Sequence, residues 1–282
     1  IAISSIDGEA SAVQFDLATM NGIPIVAFES GNNYQGIQCT CSTDNKEAAK
    51  TAASELCSSV GEEGKVIIFA ENSASKSTQE QVNGFKEEIA ANYSDVSVVG
   101  TIYMDQLDIL KRRAAAAQLN IAYNEVEIAS NVISGTEDDG SVSDEDIQKA
   151  TELLEKVDTA AAEIEDEEAA AWYLNQHPGI TGCLGTSADA TQFALGTLDS
   201  AEGLDDVAVI GFDAGKEQLE SLENEEIDGL IVQNPFGMGY AAVIASARTV
   251  LQIGNEARVD TGYVWVDREN MEDESIQAML YE

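Results

Sequence analysis

The sequence predicts an α/β fold made of two Rossmann-like lobes, each a parallel sheet flanked by helices. Short apolar runs, such as residues 25–28 and 207–212, alternate with longer stretches of helical spacing. Apolar runs of strand length that alternate with helices are typical of a parallel sheet with right-handed crossovers. The length of 282 residues is enough for two lobes of ordinary domain size, each with its own core.

The alternation can be followed along most of the chain. Predicted strands are residues 1–5, 25–28, 65–70, 96–103, 182–185, 207–212 and 229–233, and predicted helices are residues 10–20, 46–59, 76–92, 189–200, 216–224 and 238–253. Asp44 precedes the second helix, where its carboxylate is placed to cap the free amides of the first turn. The order of strand and helix is kept except in the middle of the chain.

An acidic stretch around residues 124–168 interrupts this order. Asp and Glu far outnumber Lys149 and Lys156 there, and Ser143 begins a run typical of a capped helix. A second, alanine-rich helical stretch covers residues 160–174. Calcium loops need a defined ligand spacing with a central glycine, which this stretch lacks. We therefore predict an acidic surface insertion of helices that holds no metal.

The overall charge limits the classes of partner. The chain carries 14 Lys and Arg against 52 Asp and Glu, a formal net charge of −38. A large basic face for phosphates cannot be built from so few cations, so we expect no nucleic-acid partner. The excess of acidic residues is explained by solubility, since like-charged molecules repel one another. Adaptation of the host to high salt is the alternative explanation. No apolar run approaches the ~18 residues of a membrane-spanning helix.

Catalysis is disfavoured because the chain has a single histidine. Enzymes of the Ser-His-Asp or Cys-His kind need a histidine base, and His177 stands before Pro178 at a predicted helix end. We predict a structural role for His177 and no catalytic residues. No Gly-x-Gly-x-x-Gly or phosphate-loop motif is present, so no cofactor is expected. A hydrolase that uses carboxylates alone, like a glycosidase, stays an alternative.

The four cysteines do not have the spacing of a zinc site. Cys57 and Cys183 fall in apolar contexts and are predicted to be small core residues. Cys39 and Cys41 are two residues apart and would share one face of a strand. Both a disulfide and free thiols are compatible with this pattern.

Five segments, in order, resemble periplasmic sugar-binding proteins of the ribose-binding type. They are residues 22–30 (GIPIVAFES), 42–45 (STDN), 83–85 (NGF), 209–213 (VIGFD) and 231–240 (IVQNPFGMGY). The resemblance covers nearly the whole chain except the acidic stretch. Each motif alone is weakly specific, but five in the family's order form a strong signal.

The resemblance implies the type I periplasmic-binding-protein fold, in which a three-segment hinge joins the lobes. The crossings would fall near residues 100–104, 233–237 and 261–264. One lobe would comprise residues 1–101 and 237–261, and the other residues 102–236 and 262–282 with the acidic insertion. Since the family has about two further strand–helix units before the point that matches Ile1, we expect an N-terminal segment to be missing from the first lobe.

The resemblance also implies a ligand site at the carboxyl ends of strands, where open α/β sheets bind small molecules. The candidate ligand-binding residues are Glu29, Gln81, Ser187, Asp189, Asp213 and Gln233. Glu29 stands where the family usually has Asp, while Ser30 and Gln81 stand where ribose binders have Arg. Because two bidentate guanidinium donors are lost, another monosaccharide or a polyol is a better expectation than ribose.

The implied function is capture of a sugar outside the cytoplasm. The protein would lie in the periplasm or be lipid-anchored on the outer face of the cell membrane, act as a monomer, and deliver its ligand to a membrane ABC permease. Two alternatives share the fold: the effector domain of a lactose-repressor-type transcription regulator, and a sugar receptor that serves a chemoreceptor or sensor kinase. The GMGY sequence of residues 237–240 and the strong acidity favour the importer over the repressor.

Overall fold

The chain folds into strands and helices that alternate over most of its length. A computed structural model describes residues 1–135, 142–204 and 206–280. The strands are β1 (Ala2–Ile3), β2 (Ile25–Phe28), β3 (Ile37–Ser42), β4 (Gly64–Ala70), β5 (Val96–Tyr103), β6 (Ile180–Gly185), β7 (Ala208–Phe212), β8 (Gly229–Gln233), β9 (Arg258–Asp260) and β10 (Tyr263–Val266). The helices are α1 (Gly8–Met20), α2 (Asn45–Ser59), α3 (Lys76–Asn92), α4 (Leu107–Gln118), α5 (Tyr123–Ser134), α6 (Asp144–Ala161), α7 (Asp166–Asn175), α8 (Ala188–Ser200), α9 (Lys216–Glu223), α10 (Pro235–Val250) and α11 (Glu274–Gln277). No described helix combines the length and the apolarity needed to cross a membrane.

The described strands form two sheets that are parallel apart from one strand. The four-stranded sheet has the order β1-β2-β3-β9, and the six-stranded sheet has the order β10-β8-β7-β6-β4-β5. Only β10 runs antiparallel to its neighbour, β8, among the described pairs. All residues from Val66 to Ala70 in β4 are buried, as expected for a parallel strand that is covered on both faces. The predicted α/β fold with helix-flanked parallel sheets is therefore confirmed.

The core of the six-stranded sheet depends on close packing of α2 against α3. The face of α2 that packs into this core consists mainly of the small residues Ala48, Ala49, Ala52 and Ala53, all fully buried. A Cβ atom on Gly84 of α3 would lie 2.4 Å from the carbonyl oxygen of Lys46, so only glycine permits this approach. The next residue, Phe85, is fully buried in the same core. The NGF motif thus has a packing role.

The sheets group the strands differently from the predicted lobes. The sequence places β4 and most of β5 with β1 to β3, but β4 is hydrogen-bonded to β6 and belongs to the six-stranded sheet. A crossing near residues 100–104 is therefore wrong, because residues 96–103 form the edge strand β5. The chain leaves the four-stranded sheet after Ser42 instead, just before α2. Hydrophobic periodicity identifies a strand but not its neighbour in the sheet.

The other two predicted crossings coincide with passages between the sheets. β8 of the six-stranded sheet leads into α10, which packs on β2 and β3, and β9 of the four-stranded sheet leads into β10. Full lobe boundaries stay a prediction. The chain divides into two compact units: the first comprises Ile1–Met104, Gly179–Leu195 and Asp206–Glu282, and the second comprises Asp105–Pro178 and Gly196–Asp205. Both sheets lie in the first unit.

The second unit contains the acidic stretch, which is helical as predicted. Ser143 caps α6: its hydroxyl accepts from Asp146 N at 3.2 Å, and Ser143 N donates to the Asp146 carboxylate at 3.2 Å. Arg112 of α4 binds both carboxylate oxygens of Asp158, at 2.7 and 3.1 Å. Ala160 belongs to the end of α6 rather than to the next helix, since α7 starts only at Asp166. Residues 136–141 of the predicted insertion lie outside the described residues.

The four cysteines are free and buried. The sulfur atoms of Cys39 and Cys41 lie 3.7 Å apart in β3, on the same face as predicted. Burial raises the pKa of the Cys41 and Cys183 thiols to about 12 and that of Cys57 to about 11. The reactive thiolate is therefore scarce near neutral pH.

We expect the folded protein to resist a thiol reagent such as Ellman's reagent near neutral pH. Reaction requires both solvent access and the thiolate, and the fold removes both. In concentrated guanidinium chloride all four cysteines should react rapidly, which serves as the control. Stoichiometric labelling of the native protein at a rate close to that of the unfolded chain would contradict the buried positions.

Candidate functional site

Glu29 directly follows β2 and therefore lies at the carboxyl end of that strand in the four-stranded sheet. The Glu29 backbone is left-handed, with φ of +53°, a conformation that costs about 1–2 kcal/mol for a residue with a side chain. Ser4 Oγ donates to Glu29 Oε2 at 2.5 Å, and Ser77 Oγ donates to Oε1 at 3.4 Å. The carboxylate is thereby held between the end of β1 and the first turn of α3.

A group of buried polar side chains extends from Glu29 along α3. Ser30 Oγ lies 3.0 Å from Ser75 Oγ and 3.3 Å from Ser77 Oγ. Gln81 lies one turn after Ser77 on the same helix face, and its exposed fraction is 4%. Its side chain makes no hydrogen bond to any residue that the structure describes. Ser30 and Gln81 therefore supply polar groups without the positive charge of the arginines in ribose binders.

The carboxyl ends of β6 and β7 bring Ser187 and Asp213 to the same end of α8. Asp213 is left-handed, with φ of +76°, and its Oδ2 accepts from Ala188 N at 3.3 Å. Ser187 Oγ accepts from Ala190 N at 3.2 Å and so caps the helix. The positive end of the α8 dipole favours a carboxylate at this position.

Gln218 fixes the loop that presents Asp213. Its exposed fraction is 1%, its Nε2 donates to Phe212 O at 2.7 Å, and its Oε1 accepts from Gly215 N at 3.1 Å. The loop is thus tied to the first turn of α9 on both sides of Asp213. These two bonds hold the backbone around Asp213 in a fixed conformation.

Glu71, which is absent from the predicted set, lies after β4 and beside the end of β6. Its backbone N donates to Thr186 Oγ1 at 3.1 Å. Partial burial, followed by the negative charges of Asp189 and Glu29, raises the pKa of the Glu71 carboxyl. Glu71 directly follows β4, so the rule that selected Glu29, a polar residue at the end of a buried strand, also identifies it.

Asp189 and Gln233 differ from the other predicted residues in their surroundings. Asp189 is exposed on the first turn of α8, where its charge reaches Glu71. Gln233 ends β8, and its Nε2 donates to Oδ1 of the buried Asn45 at 2.9 Å. Because Asn45 begins α2, this bond joins two of the passages between the sheets. Through this hydrogen bond Gln233 contacts the segment at the start of α2. The amide oxygen of Gln233 can still accept a hydrogen bond from another group.

A cavity of about 600 Å³ adjoins the segment after Glu29, within the first unit. Its lining includes Ser5, Asn32, Tyr34, Ser73 and Lys76. Its volume is within the range of small-molecule sites, and its lining is largely polar. None of the six predicted residues lines it. The cavity is therefore separate from the predicted ligand-binding residues, although it adjoins the segment that follows Glu29.

His177 has the structural role predicted for it. Its Nδ1 donates to Tyr173 O at 2.9 Å, and the two rings lie 4.4 Å apart between centroids. Both residues belong to the second unit, whereas all six candidate residues lie in the first. Among the residues that the structure describes, no cluster of three or more His, Cys, Asp or Glu side chains is arranged to hold a metal ion.

The chain belongs to the family described as the periplasmic binding protein domain. The family model matches residues 1–142 and 138–255, which is most of the chain. A comparison with curated proteins gives no significant match. Family membership agrees with the observed order of strands and with the polar groups at their carboxyl ends.

Solved structures share the fold at low sequence identity. A carbohydrate transporter solute-binding protein from Agrobacterium radiobacter, in complex with D-arabinose, is 23% identical with a TM-score of 0.67, covering 96% of this chain and 75% of that chain. An ABC transporter solute-binding protein from Agrobacterium vitis, bound with alpha-D-tagatopyranose, is 18% identical with a TM-score of 0.72, covering 100% and 79%. A protein from Brachyspira murdochii described as an ABC transporter, LacI family transcriptional regulator, is 19% identical with a TM-score of 0.62, covering 100% and 80%. The fold is therefore the predicted type I periplasmic-binding-protein fold.

Proposed function

We propose that this protein captures a monosaccharide or a related small polyol outside the cytoplasm and delivers it to an ABC permease. The observation that supports the proposal is that polar groups follow the carboxyl ends of strands in both sheets. Glu29 comes from the four-stranded sheet, and Glu71, Ser187 and Asp213 come from the six-stranded sheet. The protein acts as a monomer in the periplasm or on a lipid anchor, and it needs no cofactor.

The chemistry of these groups suits a polyhydroxylated ligand. Each carboxylate accepts from two hydroxyls, and amide and hydroxyl side chains both donate and accept. Glu29, Asp213 and Gln81 would contact the ligand directly, with Ser187 and Asp189 beside them. Gln233 would contact it while holding the hinge through Asn45. Closure over the ligand excludes water and strengthens these bonds, so the site binds without catalysing a reaction.

The direct test is a thermal-shift screen of the intact protein against pentoses, hexoses, polyols and nucleosides. A cognate ligand at about 100 times its Kd should stabilise the folded state by about 2.7 kcal/mol. Isothermal titration calorimetry on the hits then gives the affinity and stoichiometry. If no compound of these classes raises the melting temperature, the proposal fails.

A second candidate function is the effector domain of a lactose-repressor-type regulator. The similar protein from Brachyspira murdochii, which is described as a LacI family transcriptional regulator, favours it. The formal charge of −38 opposes it, because close approach to DNA phosphates would be repulsive. The two functions separate in one experiment on the ligand-loaded protein. An importer receptor stimulates ATP hydrolysis by its reconstituted permease, whereas a regulator changes its affinity for operator DNA.

A further inference from the structure

The cavity beside the segment after Glu29 lies where parallel sheets bind small molecules. Its lining comes from three segments that each follow a strand: residues within 5–12 follow β1, residues within 31–34 follow β2, and residues within 73–79 follow β4. Open α/β sheets bind ligands outside the carboxyl ends of their strands. The volume of about 600 Å³ has room for a whole sugar ring. Position and size therefore both fit a ligand.

Two walls of the cavity are joined by buried hydrogen bonds. Asn32 has an exposed fraction of 8%, its Nδ2 donates to Ser5 Oγ at 3.1 Å, and its Oδ1 accepts from Tyr34 N at 2.8 Å. A Cβ atom on Gly8 would lie 3.3 Å from Asn32 Nδ2, so the amide packs directly against the first residue of α1. These bonds form without a ligand, and a wall that is already ordered lowers the entropy cost of binding.

Tyr34 gives the cavity an aromatic ring in a fixed position. Its hydroxyl donates to Asp16 Oδ1 at 2.9 Å, and its ring lies edge-on to Phe15 at 5.4 Å between centroids. A Cβ atom on Gly36 would overlap the ring, so glycine is needed where the chain passes it. Because the hydroxyl is engaged elsewhere, Tyr34 offers the cavity its ring. A rigid aromatic ring provides a large apolar contact, which suits the face of a sugar ring that carries C–H groups.

The charged groups that line the cavity have both signs. Lys76 belongs to α3, whereas Asp7 and Glu9 belong to the start of α1. The Asp7 carboxylate caps α1 by accepting from Glu9 N and Ala10 N, each at 2.9 Å. Lys76 Nζ lies 3.8 Å from the Glu80 carboxylate, which is too long for a hydrogen bond, so its donors can bind a ligand. Donors and acceptors in one lining match sugar hydroxyls, which both donate and accept.

Chain geometry keeps the cavity close to Glu29. Gly31 lines the cavity two residues after Glu29, and two residues of chain span at most about 7 Å. On the other wall, Ser5 lines the cavity and directly follows Ser4, whose hydroxyl donates to the Glu29 carboxylate. A molecule that binds at Glu29 and is longer than one sugar ring would therefore reach the cavity.

We propose that the cavity binds a second sugar unit, so that the ligand is a disaccharide with one unit at Glu29 and the other stacked on Tyr34. This inference rests on the proposed solute-binding function and extends its ligand from one sugar ring to two. Lys76 donates to hydroxyls of the second unit, and Glu9 accepts from them. A monosaccharide at Glu29 makes none of these contacts and binds more weakly.

The test compares disaccharides with the monosaccharides that compose them. Affinities for maltose, cellobiose, lactose, melibiose and xylobiose are measured by calorimetry beside those for glucose, galactose and xylose. We expect at least one disaccharide to bind about tenfold or more tightly than each of its constituents, because the second unit adds an aromatic contact and hydrogen bonds. The stoichiometry should be one disaccharide per chain, since both units belong to one bound molecule.

Variants then locate the second unit. Tyr34→Leu should bring the ratio of disaccharide to monosaccharide affinity close to one, whereas Tyr34→Phe keeps the ring and should retain most of the preference. Tyr240→Leu is the matched control, since Tyr240 is 65% exposed on α10 and does not line the cavity. Ala12→Leu fills the cavity from α1 without changing Tyr34 and should also remove the preference. Circular dichroism and melting temperature verify that each variant folds.

The possible results separate this inference from the proposed function. Monosaccharides that bind as tightly as every disaccharide containing them overturn the two-unit ligand and leave the solute-binding function intact. A disaccharide preference that survives Ala12→Leu overturns the role of the cavity, and this variant decides alone if Tyr34→Leu does not fold. If no sugar of either size binds, the solute-binding proposal fails together with the inference drawn from it.

Discussion

Asp213→Asn is expected to weaken ligand binding by about 10- to 100-fold. The variant removes the charge of a carboxylate at the carboxyl end of β7, and a hydrogen bond to a charged group contributes about 1.5–3 kcal/mol. The fold should persist because asparagine keeps the shape of the side chain and tolerates the left-handed backbone, with φ of +76°. Calorimetry with the best ligand of the screen measures the loss, and the melting temperature without ligand measures stability.

The matched control is Asp199→Asn, which removes the same charge from the opposite end of α8. Asp199 is exposed on the last turn of that helix. We expect unchanged affinity for this variant, which would exclude a general effect of net charge. Equal affinities of the Asp213 variant and the unmodified protein would remove Asp213 from the site.

Phe85→Ala is expected to lower the free energy of unfolding by about 3–5 kcal/mol. Phe85 is fully buried in the core between α2, α3 and the six-stranded sheet. Its neighbour Gly84 already brings the backbones of α2 and α3 into contact, so the helices cannot move closer to fill the space left by the ring. Denaturation by guanidinium chloride, followed by circular dichroism, measures the loss as a lower midpoint.

Phe236→Ala is the control for this loss. Phe236 is 83% exposed on the first turn of α10, where it stacks on Tyr240. Surface substitutions of this kind change stability by no more than about 0.5 kcal/mol. A Phe85 variant as stable as the Phe236 variant would show that the core can repack around the missing ring.

Much of the local structure follows directly from sequence patterns. The bounds of β2, α3, β5 and β8 agree with prediction, because apolar runs and helical periodicity are properties of neighbouring residues. The Asp44 cap is confirmed by its bond from Glu47 N at 3.2 Å. Some strands, such as β9, are too short or too polar to show a clear sequence pattern and were not predicted. Such a strand is recognised only by its hydrogen bonds to a neighbouring strand.

The candidate site was predictable only in part. Glu29, Ser187 and Asp213 could be selected because each follows a predicted strand, and the structure places all three at strand ends. The role of Gln233 in holding Asn45 could not be foreseen, since the two residues are 188 positions apart in the chain. Glu71 also follows a predicted strand, but acidic residues are so common in this chain that one more carries little information.

The sequence by itself determined the fold class, the alternation of strands and helices, and the polar residues that end the strands. These features depend on hydrophobic periodicity and on turn and cap chemistry, which act over a few residues. Only the tertiary structure decided that β4 pairs with β6, and that Glu71, which follows β4, is hydrogen-bonded to Thr186 after β6. Sheet order and electrostatic neighbours arise from contacts between segments that are distant in the sequence. The stability of such contacts depends on both packing and chain entropy, which local sequence patterns do not predict.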